Sequence, residues 1–137
     1  MSTTINVSND VTRIFEVTES ITGAQTIEQA DSGKVFWLDA AGGATVTLPA
    51  VKAGLKLKFV LIQAHSSTNW VIASATSANI QGAFVDGAAA AAAADEDQMN
   101  FVADTAAVGD FIELSCDGTD WFVSGVCSAT GGITATT

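Results

Sequence analysis

Residues 110–127 read Asp110-Phe111-Ile112-Glu113-Leu114-Ser115-Cys116-Asp117-Gly118-Thr119-Asp120-Trp121-Phe122-Val123-Ser124-Gly125-Val126-Cys127. Residues of two characters alternate on either side of Asp117-Gly118-Thr119-Asp120, and a period of two around a Gly/Asp-rich break predicts a β-hairpin. With Gly118 and Thr119 at its tip, Cys116 faces Trp121. Cys127 then lies beyond that partner by roughly 20 Å of strand, outside disulfide reach. Both cysteines are expected to be free and mostly buried, in keeping with a reducing cytosol.

The same period extends backward through the chain. In Leu55-Lys56-Leu57-Lys58-Phe59-Val60-Leu61-Ile62, the residues Leu55, Leu57, Phe59 and Leu61 share one face. The other face changes from Lys56 and Lys58 to Val60 and Ile62, which predicts that the strand enters a second contact, either another sheet or another subunit. Ala44-Thr45-Val46-Thr47-Leu48 alternates and ends at Pro49, which removes a ladder donor. Gly42-Gly43 marks the turn that follows Lys34-Val35-Phe36-Trp37-Leu38-Asp39. Further strands are expected at Arg13–Thr18, Gln25–Gln29, Asn69–Ala73, Ala78–Gln81 and Gln98–Ala103. Short strands at roughly ten-residue spacing predict an all-β fold: an antiparallel β-sandwich or barrel-like domain with short loops and at most one short Ala-rich helix. The helix candidate is Gly87–Gln98, where Ala88–Ala94 favours helix and Asp95-Glu96-Asp97 at the C-terminal end opposes it. A short helical turn and a surface loop are equally compatible with that segment. At 137 residues the chain fits one domain, read as residues 13–128 between an N-terminal arm, 1–12, and a C-terminal tail, 129–137.

Composition narrows the function. Five Lys or Arg against fifteen Asp or Glu give a net charge of −10, which disfavours binding to a phosphate backbone. Met1-Ser2-Thr3-Thr4-Ile5-Asn6-Val7 lacks the charged start and apolar core of a secretory leader, and no apolar run is long enough for a membrane-spanning helix. Nucleic acid and membrane are therefore not expected partners. His65, the single histidine, lies in a polar turn and reads as an exposed loop residue, since no Gly-x-Ser-x-Gly elbow accompanies it. Asp95-Glu96-Asp97 lacks the spaced carboxylates of a calcium loop. Asp110, Glu113, Asp117 and Asp120 could be paired as glycosidase acids, but hairpin-turn chemistry explains Asp117 and Asp120 better. No catalytic residue, metal ligand or cofactor is assigned, and the chain is read as non-enzymatic.

Interface residues are more legible. Trp121 and Phe122 point to opposite faces of one strand, and Phe36 and Trp37 repeat the pattern, so a covered second face is expected to lie against either another subunit or a second layer of the same chain. All five bases fall in residues 1–58, whereas 59–137 holds nine acids and no base. Lys52, Lys56 and Lys58 are thus expected to form a basic edge that meets a neighbour's acidic region. The Ala-rich backbone at Ala90 and Ala91 suits close approach of another chain. Ile5, Val7 and Ile133 are the apolar residues of the two end segments, expected to make strand-adding contacts with a partner. Deleting 1–10 or 131–137 is accordingly expected to leave the folded domain largely intact.

One resemblance ties these features together. Ile27-Glu28-Gln29-Ala30-Asp31-Ser32-Gly33-Lys34, then Gly43-Ala44-Thr45-Val46-Thr47-Leu48-Pro49 and Ala53-Gly54-Leu55, are followed by Asn79-Ile80-Gln81-Gly82. Val108-Gly109-Asp110-Phe111-Ile112-Glu113-Leu114 and Asp117–Gly125 complete the series. Over residues 25–128 this order resembles the β-structured modules of tailed-phage virion proteins: tail fibres, head fibres and capsid decoration proteins. The resemblance implies a homotrimer on a virion surface, made in the host cytoplasm. The shortness of the chain favours a capsid decoration, or cement, protein that binds the major capsid protein and stabilises the shell. A receptor- or glycan-binding module of a fibre is the alternative.

Overall fold

A computed structural model describes residues 15–137. Ile5, Val7, the arm expected at 1–12 and the start of the strand expected at Arg13 lie outside the described residues. Twelve strands follow: β1 (Thr18–Ile21), β2 (Gln25–Thr26), β3 (Val35–Leu38), β4 (Thr45–Thr47), β5 (Lys56–Leu61), β6 (Trp70–Ala73), β7 (Ile80–Asp86), β8 (Ala89–Glu96), β9 (Gln98–Phe101), β10 (Phe111–Cys116), β11 (Trp121–Cys127) and β12 (Ile133–Thr136). A single 3₁₀ turn, Gln29–Asp31, is the one helical element described. The strands form a seven-stranded sheet, β1-β3-β5-β10-β11-β7-β8, and a five-stranded sheet, β12-β9-β6-β4-β2, which pack as a sandwich-like pair.

The first six strands alternate between the sheets. Each pairs in parallel with the equivalent strand of the next circuit: β1 with β3 and β3 with β5 in one sheet, β2 with β4 and β4 with β6 in the other. The chain therefore winds three times, laying one strand in each sheet per circuit. Equivalent inward residues stack from circuit to circuit, as in Ile21–Leu38–Leu61. Phe36 lies on Phe59 with ring centroids 5.2 Å apart and planes inclined by 20°. Such offset stacking adds to simple area burial.

Three expectations require correction. The all-β sandwich stands, but five of the ten strand pairings are parallel. A strand with one covered face alternates in the same way whichever direction its neighbour runs, so periodicity alone does not set the pairing. The alanine run is neither helix nor loop. It forms β8, paired antiparallel with β7 and carrying a buried Ala93. A ready ladder partner and a sheet to pack on outweigh alanine's helix preference, which is only a fraction of a kcal/mol per residue. Residues 129–137 are not a tail awaiting a partner. Ile133–Thr136 pairs with β9, and Ile133 is part of the core.

The core between the sheets includes Trp70, Trp121, Phe59, Phe101, Ile72 and Leu114, all fully buried. Asn100, also buried, receives a bond from the Gln98 side chain at 2.9 Å and donates to Thr136 Oγ1 at 3.1 Å, tying β9 to β12. Both cysteines are free and buried, and Cys116 stands opposite Trp121 as the hairpin register predicts.

Candidate interaction surface

Strand alternation places Trp121, Val123 and Cys127 of β11 inward and Phe122, Ser124 and Val126 outward. In β3 the fully buried Phe36 and Leu38 face the core, and the half-buried Trp37 faces out. The pairing registers then align outward residues from strand to strand. One row crosses the entire seven-stranded sheet: Ser20, Trp37, Val60, Phe111, Val126, Val85 and Ala90. Six of its seven members are apolar, and at one strand spacing per step it is about 29 Å long. Val126 is 42% exposed and Val85 41%. Phe122, in a neighbouring row, is 46% exposed, and Ile62, just past β5, is 38% exposed. An aligned apolar strip on a sheet face is the kind of surface that isolated monomers avoid.

Charged residues lie on both sides of this part of the sheet: Glu19, opposite the inward Phe36, is in the inner phase, and Lys58, opposite Glu113, is in the outer. On the side of β1, β3 and β5, Lys34 Nζ lies 2.6 Å from Asp31 and 3.5 Å from Glu19, and Lys58 Nζ lies 3.5 Å from Glu113. Lys58 also sits 4.8 Å from the centroid of the Phe111 ring. The hydrogen bond from Lys34 holds the Asp31 carboxyl below its usual range, and the same contact raises the Lys34 ammonium. Lys52 and Lys56 are exposed, and neither has an acidic partner among the described residues. A pocket of about 110 Å³ lies among Glu16, Lys34, Lys56, Lys58 and Glu113, well below the several hundred Å³ of a small-molecule site. At the opposite border, Asp95 takes positive φ at the end of the alanine strand, and its carboxylate accepts a bond from the Gln81 side chain.

The interface residues expected from sequence thus separate. Trp37, Phe122, Lys56, Lys58 and Ala90 lie on the outer face, and Lys52 is exposed just ahead of β5. Ala91 is half-buried on the inner side, opposite the buried Phe84. Phe36, Trp121 and Ile133 are core residues and present no interface, because their strand phase turns them inward. Sequence reasoning singled out the outward turn of β5 at Val60 but missed Phe111, Val85 and Val126, with which it aligns. Each is visible as the outward phase of its strand, but their alignment depends on pairings between distant segments.

The residues weighed for chemistry have structural work. His65 is buried, not exposed: its Nε2 lies 3.0 Å from the Phe101 carbonyl oxygen, and Asp104 N–H donates to the His65 carbonyl. The turn around it is exposed at Gln63–Ala64 and Ser66–Thr68, as its polar sequence predicts, and only the His65 side chain turns inward, against Phe101 of β9. Asp110 is buried and accepts from the Ala107 and Ser128 amides at 2.8 and 3.0 Å. Asp117 accepts from the Thr119 and Asp120 amides at the hairpin tip, which holds its carboxyl below the usual range. Glu113 pairs with Lys58. Asp97 accepts from Ala78 N–H, and no cluster of metal-ligating residues occurs among the described residues. The chain matches no family model, no curated protein and no solved structure.

Proposed function

We propose that this protein is a non-enzymatic virion structural protein, a homotrimeric capsid decoration protein that binds the outer capsid surface and stabilises the shell. The observation that carries the trimer part of this reading is the apolar strip across the outer face of the seven-stranded sheet, from Trp37 to Ala90. A row of side chains running across a sheet face suits a protein cover better than a sugar ring, which a concave site would seat. The capsid part rests on the sequence resemblance. On a closed lattice, contacts of modest individual strength act together across many copies, so reinforcement needs no single tight site. The partners in this reading are two further copies and the major capsid protein, without nucleic acid, membrane or cofactor.

The test is solution mass followed by occupancy. Light scattering should give about three times 13.9 kDa. Electron microscopy of undecorated capsids incubated with the protein should then show density at fixed lattice positions. Capsids that stay bare at saturating protein would refute decoration.

A further inference from the structure

We draw no further inference here: the strongest candidate, the apolar strip that crosses the outer face of the seven-stranded sheet from Trp37 to Ala90, belongs to the surface already described, and nothing in the structure shows what covers it.

Discussion

Asp86 shows how one side chain can close a fold. Its Oδ1 accepts from the Cys127 thiol at 3.1 Å and from Gly131 N–H at 2.8 Å, so β7, the end of β11 and the turn into β12 meet at one oxygen. Burial, and then the hydrogen bond to Asp86, push the Cys127 thiol up from its ordinary value. A group raised on folding contributes stability that is complete below its unfolded pKa and is lost as pH rises through the folded value. Unfolded cysteine titrates near 8.5, so the thermal midpoint should begin to fall from about pH 8.5 upward. Cys127→Ala should be less stable at pH 7 by about 1 kcal/mol, with a flatter decline in the alkaline range. Melting curves of both proteins from pH 7 to about 10.5 check this; parallel declines would assign the loss to other groups.

Pairing, more than propensity, determines the elements. β8 is a strand because β7 accepts it, and the seam carries a bulge at Ile80–Gly82. Gly82 has φ of 129°, and a Cβ there would lie 2.3 Å from the Val123 carbonyl oxygen. Gly82→Ala should therefore cost about 2 kcal/mol or more and loosen β7 against β11. Gly23→Ala, where a Cβ meets nothing within 4 Å, is the matched control and should be nearly neutral. Urea unfolding of the two variants, with hydrogen exchange on the β8 amides, distinguishes these outcomes. The same logic explains what was legible beforehand. The β10–β11 hairpin is local, so its turn chemistry predicted the register down to Cys116 opposite Trp121. Four of the parallel pairs join segments 17 to 26 residues apart and the fifth, β7 with β11, joins segments 41 apart, and no local signal names the partner. His65 illustrates the remainder: its turn is solvated as it reads, but the one imidazole in it turns inward to a carbonyl of β9, far along the chain.

At the scale of the molecule, the last strand belongs to the body of the fold. β12 completes the border of the five-stranded sheet, and Ile133 is fully buried. Deleting 131–137 would remove the Ile133 side chain, the ladder to β9 and the Gly131 bond to Asp86 together. The sequence-based expectation of an intact domain is reversed: this truncation should lower stability by about 3 kcal/mol or more, or prevent folding. Far-ultraviolet circular dichroism and thermal melts of the truncated protein test the point. A domain that melts like wild type would show that β12 is dispensable.

Strand order carries a consequence for how the chain is made. The seven-stranded sheet reads β1-β3-β5-β10-β11-β7-β8, so its middle is filled by a hairpin synthesised after both flanks. Until residues 111–127 emerge from the ribosome, β5 and β7 each present a bare row of amides and carbonyls where the hairpin will insert. Unpaired edges of this kind recruit other chains. A nascent protein stalled before the hairpin would leave both of those edges open, and emergence of residues 111–127 closes both at once. Translation speed through residues 111–127, together with chaperone cover over the gap, is then expected to set yield, a dependence that the finished molecule no longer displays.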